Sequence, residues 1–168
     1  MDTRSGQPEE ADSGRSVISF RQERAEDEPF LFAVYAASRA GEMAQTGWDA
    51  PAQDAFLRMQ FQAMRQGYRT SFPEAELAII LIDGHTSGRA VINRTPQEIR
   101  VVDVALLPEA QNQGVGTRLL RQWMSEAARA QKPLRLSVLT QSPARRLYGR
   151  IGFRTIGQEG PYEQLEWR

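Results

Sequence analysis

The sequence predicts one mixed domain of the α/β (α+β) class. Apolar residues switch between strand-like runs and helix-like spacing along the chain, in the order β-α-α-β-β-β-α-β-α-β. A strand over 99–107, a helix over 115–130 and a strand over 134–139 form one β-α-β unit, which implies a parallel pair joined by a right-handed crossover. The length of 168 residues suits a single domain with its own core.

The first part of the chain predicts a tail, a strand and two helices. Residues 1–15 are rich in Gly, Ser, Asp and Glu, so we expect a disordered tail before a domain over 16–168. The periodicity and the turn-forming residues predict a strand over 17–20, a helix over 29–40, a break over 41–52 and a second amphipathic helix that ends near Gly67.

The second part alternates strands with helices. Two β-rich runs flank a turn at 83–88 and predict a hairpin, and the long helix has apolar residues along one face. The predicted elements are strands over 77–82, 89–94, 99–107 and 134–139, helices over 115–130 and 143–151, and one or two closing strands within 153–167.

Composition excludes several classes of chemistry. The chain has no Cys and one His, His85, so we expect no disulfide, no cysteine nucleophile and no metal centre. No apolar stretch approaches the roughly 20 residues of a membrane span, and the N-terminus lacks the apolar core of a signal peptide. These features predict a soluble cytoplasmic protein that does not bind membranes.

Charge is distributed unevenly although its net value is zero. Residues 16–110 hold 9 basic and 13 acidic residues, whereas residues 111–168 hold 10 basic and 4 acidic ones. One interpretation is an anionic ligand at the C-terminal part and a polar or cationic ligand at the front, and the other is chance variation of surface charge. Nucleic acid is not expected as a partner, because no aromatic residues accompany the basic ones in a patch.

A glycine-containing turn joins the strand over 99–107 to the long helix. We call it the glycine turn, and it consists of Gln111, Asn112, Gln113, Gly114, Val115, Gly116 and Thr117. Backbone N–H groups at the start of a helix have no helical partner and attract phosphate, and glycines let a pyrophosphate approach closely. The turn lacks the residues of a Walker A loop and the third glycine of a dinucleotide site. Alternatively, the glycines serve only the tight turn.

A second motif lies beyond the strand over 134–139. It reads Ser142-Pro143-Ala144-Arg145-Arg146-Leu147-Tyr148, followed after three residues by Gly152-Phe153. With the glycine turn it resembles the acetyl-coenzyme A site of the GCN5-related N-acetyltransferase (GNAT) superfamily, whose motifs are Gln/Arg-x-x-Gly-x-Gly/Ala and Asn-Pro-Ala-x-x-Leu-Tyr. The resemblance extends over 17–168 and is strongest over 99–153. It implies a mixed, mostly antiparallel sheet, flanked by helices, in which a central parallel strand pair splays apart.

The resemblance also implies site residues by matching positions. The backbone amides of the glycine turn would hold the pyrophosphate of acetyl-coenzyme A, and the strand edge at Ala105, Leu106 and Leu107 would pair with its pantetheine arm. Tyr148 matches the tyrosine that protonates the leaving thiolate, or else it is a core aromatic residue with a solvated hydroxyl. Ser142 replaces the usual Asn at a position that contacts pantetheine.

The remaining candidates concern the base and the acceptor. Asp103 is the best carboxylate for the base, acting directly or through water, or it orients a neighbour or binds a cationic amine. Glu42 and Trp48 would bind the acceptor by ion-pair and cation–π contacts, although an aromatic residue in such a loop also serves packing.

We therefore predict an N-acetyltransferase that moves the acetyl group of acetyl-coenzyme A to a primary amine, on a small molecule or a peptide, by direct attack in a ternary complex. The sequence is also compatible with a homodimer. The alternative function is a catalytically weak module on the same fold that binds or senses acyl-coenzyme A. A flexible adaptor that acts through the acidic tail is disfavoured, because that tail is short.

Overall fold

The structure, a computed structural model, describes residues 15–168, so the predicted tail lies outside the described residues apart from Arg15. Seven strands form one sheet in the order β1-β2-β3-β4-β5-β7-β6. The elements are β1 Ile18–Gln22, α1 Glu28–Ala44, α2 Ala50–Ser71, β2 Glu76–Ile82, β3 His85–Arg94, β4 Ile99–Leu106, α3 Val115–Ala130, β5 Leu134–Leu139, α4 Ala144–Arg150, β6 Arg154–Glu159 and β7 Tyr162–Trp167.

The predicted mixed fold class is confirmed, and the β-α-β unit is the part predicted best. Strands β4 and β5 are parallel, α3 connects them, and the other neighbouring strands are antiparallel. The predicted bounds of α3 and β5 agree with the structure. Their pattern is strong because five residues of α3 are buried along one face, whereas the residues between them are partly or fully exposed.

The predicted helix ends in the first half are wrong. Helix α1 continues past Gly41 to Ala44, and α2 continues past Gly67 to Ser71. A glycine inside a helix costs only about 1 kcal/mol relative to alanine. Burial of Met43 in the last turn of α1 offsets this cost. The hairpin turn is also tighter than predicted, since only Asp83 and Gly84 separate β2 from β3.

The sheet has helices on both faces. Alternation along β2 illustrates this arrangement, because Ile80 packs in the cluster around α3 whereas Ile79 packs in the cluster of α1 and α2. Trp123 is the largest fully buried side chain on the α3 face, and Phe61 has that position on the other face. The two cores hold β3 and β4 between them, and both strands lie beside the site described below.

The central parallel strands separate after one short stretch of pairing. Residues 99–101 of β4 pair with residues 134–136 of β5. Beyond this point β4 stays with β3 while β5 stays with β7. Val102 is an extra residue in β4, because Val91 pairs with Asp103 and Ile92 pairs with Val101. The predicted splay is therefore present, and one edge of β4 is open beside it.

Asp27 lies just before α1 and forms a buried ion pair with Arg21 of β1. It is 7% exposed, binds both terminal nitrogens of Arg21 at 2.7 Å and accepts the N–H of Arg24 at 2.8 Å. The hydrogen bonds from Arg21 hold the pKa of Asp27 at about 2, below its usual 3.8. The stabilisation is therefore present above pH 4 and is lost as the pH falls towards 2.

We expect Asp27→Asn to lower the free energy of unfolding at pH 7 by about 2 kcal/mol, since it removes charged hydrogen bonds to a buried oxygen. Urea titrations at pH 7 and near pH 2.5 measure the effect, and the difference from the wild type should shrink at the lower pH. The matched control is Asp54→Asn, which breaks an exposed pair with Arg58 and should cost less than about 0.5 kcal/mol. Equal losses in both variants would contradict the prediction.

Candidate active site

The glycine turn presents backbone N–H groups at the end of β4. Asn112 and Gly114 have φ values of 58° and 74°, and this left-handed backbone turns the chain sharply before α3 begins. The N–H of Arg118 donates to the carbonyl of Gly114 at 3.1 Å, so the N–H groups of residues 115–117 precede the first helical donor and have no partner within the helix. They lie at the positive end of the dipole of α3.

Two glutamine side chains hold the backbone of the glycine turn in place. Nε2 of Gln111 donates to the carbonyl of Leu106 at 2.9 Å, and Nε2 of Gln113 donates to the carbonyl of Glu109. Val115 is buried in the core. By contrast, no heavy atom would lie within 4 Å of a Cβ added at Gly116. The turn therefore combines a braced backbone with open space at Gly116, which fits a phosphate group.

The open edge of β4 does not consist of the three predicted residues, Ala105, Leu106 and Leu107. The N–H of Leu107 donates to Ser87 of the neighbouring β3 segment at 2.8 Å, and its carbonyl accepts from Ala110 at 2.9 Å. Because backbone groups alternate along an antiparallel strand, those of Ala105 also face β3. Those of Leu106 and Val104 face the splay, although the Leu106 carbonyl already accepts from Gln111. The edge groups at the splay therefore belong to Val104 and Leu106.

The sequence analysis did not identify Val104 as an edge residue or Gly88 as a site of close strand approach. A Cβ added at Gly88 would lie 2.4 Å from the carbonyl oxygen of Ala105, so only glycine lets β3 approach the end of β4 this closely. The sequence predicts Gly88 in the hairpin turn, whereas it lies within β3. No sequence signal locates the bulge at Val102, which shifts the register along the edge.

Tyr148 lies on α4, across the splay from β4. Its ring packs edge-on against Phe153, with centroids 5.7 Å apart. Burial raises the pKa of the hydroxyl, and the carboxylate of Asp103 raises it further. The hydroxyl therefore holds its proton at neutral pH. Ser142 precedes the helix, and its hydroxyl oxygen accepts the N–H of Ala144 at 3.3 Å, so its side chain helps to begin α4.

Asp103 projects from the opposite face of β4 and forms an ion pair. Its Oδ2 lies 2.8 Å from Nε of Arg89, a buried residue of β3. On α2, burial raises the pKa of Tyr68, and the nearby carboxylate of Asp103 contributes. One oxygen of the candidate base is therefore occupied by an arginine. Asp103 lies electrostatically close to both Tyr68 and Tyr148.

The two predicted acceptor residues have separate partners. Glu42 stays helical because α1 does not break at Gly41, so it lies one turn beyond Arg39 and pairs with it at 3.1 Å. Trp48 lies in the loop after α1 and packs edge-on against Phe56 of α2 at 5.3 Å. The side chains are 59% and 47% exposed, respectively. The charge of Glu42 is thus opposed by an arginine, which weakens its attraction for a cationic acceptor.

Within residues 15–168, no group of three or more His, Cys, Asp or Glu side chains is arranged to hold a metal ion. In the same range, no helix combines the length and the apolar character needed to cross a bilayer.

One family model matches the central part of the chain. This family model, described as an acetyltransferase (GNAT) domain, matches residues 73–155, which include β2 to α4 and the glycine turn. A comparison with curated protein sequences gave no match.

Solved structures show the same fold. The chain is similar to the PaiA N-acetyltransferase from Thermoplasma acidophilum in complex with coenzyme A, with a TM-score of 0.67, 18% identity and coverage of 90% of this chain and 99% of that one. For a GNAT family acetyltransferase from Elizabethkingia anophelis with acetyl-CoA bound, the TM-score is 0.56 and the identity 18%, with coverage of 90% of this chain and 97% of that one. For an acetyltransferase from Thermus thermophilus, the TM-score is 0.63 and the identity 17%, with coverage of 90% of this chain and 96% of that one. With its splayed strands, its glycine turn and the model that matches residues 73–155, the chain contains an acetyltransferase (GNAT) domain.

Proposed function

We propose that the protein is an acetyl-coenzyme A-dependent N-acetyltransferase that acts on a primary amine. The observation that carries the proposal is the placement of three features around one splay. The glycine turn lies at the end of β4, the open edge of β4 leads away from it, and the protonated hydroxyl of Tyr148 lies on the other side. This arrangement suits a phosphate, an extended arm and a leaving thiolate, in that order.

The proposed reaction needs each of these residues in a distinct role. Acetyl-coenzyme A supplies an acyl carbon activated as a thioester. The amine attacks that carbon in a ternary complex and forms the C–N bond, the C–S bond breaks, and Tyr148 donates a proton to the departing sulfur. The N–H groups of Val104 and Leu106 hold the extended arm in the manner of an added strand. The backbone of the glycine turn binds the pyrophosphate.

Asp103 is the residue proposed to handle the amine. It takes the proton that the amine releases, directly or through water, or it holds the amine in place. The ion pair with Arg89 favours the second role, because it holds the carboxylate in a fixed orientation on β4. The proposed acceptor contacts of Glu42 and Trp48 stay predictions, as do the contact of Ser142 with pantetheine, the cytoplasmic location and the homodimeric state.

Thiol release from acetyl-coenzyme A across a panel of primary amines tests the proposal. We expect release that depends on the amine and yields one amide for each free thiol. The alternative function, a module that binds or senses acyl-coenzyme A, predicts tight binding by calorimetry without amine-dependent release. Such a result across the whole panel would replace the enzyme by the sensor.

The pH dependence of the rate follows from the two proton transfers. We expect kcat/KM to rise from about pH 6 to above pH 8, because a larger fraction of the amine is then deprotonated. Because the pKa of Tyr148 is raised above the usual tyrosine value of 10, its hydroxyl loses the proton needed for catalysis only above pH 10. Initial rates in a constant-ionic-strength buffer series measure the profile. A decline between about pH 8 and pH 10 would contradict the assignment of Tyr148 as the acid.

A further inference from the structure

Two arginines lie between the sheet and helices α1 and α2, on the side of β4 that carries Asp103. We call Arg39 of α1 and Arg89 of β3 the arginine pair. Their guanidinium carbons lie 5.9 Å and 5.8 Å, respectively, from the centre of the Tyr35 ring. Arg89 is 6% exposed, whereas Arg39 extends partly into solvent. Both guanidinium groups therefore lie against the same tyrosine, Arg39 at the partly exposed end and Arg89 beside Asp103.

The Nε atoms of the arginine pair lack well-aimed hydrogen-bond acceptors. Within residues 15–168, the buried side-chain N and O atoms without a hydrogen-bond partner are Nε of Arg39, Nε of Arg89 and Oδ2 of Asp103. The last two atoms are 2.8 Å apart, so the charges are paired although the N–H is poorly aimed. Nη2 of Arg89 donates to the thioether sulfur of Met64 at 3.3 Å, which is a weak acceptor. Buried donors partnered this poorly indicate a place for a further acceptor group.

The charges of this region favour an anion. Asp103 is a carboxylate partner of Arg89, whereas the carboxylate that pairs with Arg39 is the exposed Glu42. Because Glu42 is largely exposed, a ligand can replace it at little cost. Gln60 accepts from both Tyr35 and Arg39, at 3.1 Å and 3.3 Å, and so holds Arg39 towards the pair. A planar guanidinium matches a carboxylate with two parallel hydrogen bonds.

The position of the arginine pair relates this anion to the acceptor. Arg89 is bonded to Asp103, the residue proposed to handle the amine, so an anion at the pair lies beside that amine. We propose that the acceptor carries a carboxylate as well as its primary amine, with Arg39 and Arg89 binding the carboxylate and Asp103 facing the amine. The substrate then belongs to the amino-acid class. This inference rests on the proposed function and refines its acceptor.

Matched pairs of acceptors test the inference. Each standard amino acid is compared with its own carboxamide, which retains the amine and the side chain but lacks the negative charge. Two measurements are made, namely thiol release from acetyl-coenzyme A and calorimetric binding to the protein saturated with coenzyme A. For the preferred side chain we expect the acid to exceed the carboxamide about tenfold in both, the ratio expected when a charged hydrogen bond is lost. The amine of the carboxamide is less basic than that of the acid, so a larger fraction of it is deprotonated at a given pH. Without a carboxylate site, the carboxamide would therefore be the better acceptor.

Arg39→Gln tests the residue assignment. We expect the KM of the acid to rise about five- to tenfold, while the KM values of the carboxamide and of acetyl-coenzyme A stay within twofold. Circular dichroism verifies the fold. Arg58→Gln is the matched control, since Arg58 lies on α2, is 62% exposed and pairs with Asp54, and it should leave all three values unchanged.

The two measurements separate failure of this inference from failure of the proposed function. Equal use of acids and carboxamides, a preference for amines without a carboxylate, or an equal effect of Arg39→Gln on both members of a pair would overturn the inference while transfer itself stands. Binding of acids that depends on Arg39, without thiol release from any of them, would support the carboxylate site and refute the transferase. Absence of both acid-selective binding and acid-selective release would overturn the inference as well.

Discussion

Tyr148→Phe should lower kcat about 10²-fold, the lower end of the range for general acids, while the KM for acetyl-coenzyme A changes less than about threefold. The substitution removes only the hydroxyl, and the ring can keep its edge-on contact with Phe153 at 5.7 Å. Without the hydroxyl, the sulfur departs as an unprotonated thiolate. Burial and the carboxylate of Asp103 both favour the protonated hydroxyl, so the wild type has the acid ready at neutral pH.

The matched control for this variant is Tyr162→Phe. Tyr162 begins β7, is exposed and makes no part of the proposed site, so the same chemical change there should leave kcat unchanged. Steady-state rates with one accepted amine, over a full range of acetyl-coenzyme A, separate kcat from KM. Full turnover by Tyr148→Phe would return Tyr148 to a packing role and leave the departing sulfur to be protonated by water.

Gly116→Glu should raise the Kd for coenzyme A at least tenfold, equivalent to about 1.4 kcal/mol. It introduces a carboxylate where the glycine turn is proposed to bind pyrophosphate, so like charges repel each other at short range. The fold should tolerate the change, since an added Cβ meets no atom within 4 Å and Gly116 has no left-handed backbone. Gly114 is unsuited to this test, because its φ of 74° makes any side chain there strained.

Two further variants sharpen the measurement. Gly116→Gln adds nearly the same volume without the charge, so the difference between the two Kd values reports the electrostatic part. Gly67→Glu places the same carboxylate at another unobstructed helical glycine, far along the chain in α2, and should leave the Kd unchanged. Calorimetry gives the Kd values, and circular dichroism verifies the fold. Unchanged affinity in a folded Gly116→Glu variant would contradict the assignment of the glycine turn as the pyrophosphate site.

Local sequence patterns were sufficient where one short segment contains the whole signal. The bounds of α3 followed from its apolar face, and the left-handed backbone at Gly114 suits the turn that its glycines predicted. The same patterns misplaced the ends of α1 and α2. Beyond Gly41 the buried Met43 offsets the local cost of the glycine, and beyond Gly67 only Tyr68 is partly buried. Local propensity is a weak term compared with packing in such cases.

The sequence by itself determined the mixed fold class, the β-α-β unit and the segments that resemble a coenzyme site, since periodicity and motif spacing are local properties. Tertiary structure alone decided which edge groups of β4 face the splay, because the bulge at Val102 shifts the register. It also decided the charges around the acceptor. Asp103 meets Arg89, and Glu42 meets Arg39, through strand pairing and helix continuity. Electrostatic partners depend on distances in space, and separation along the chain does not specify those distances.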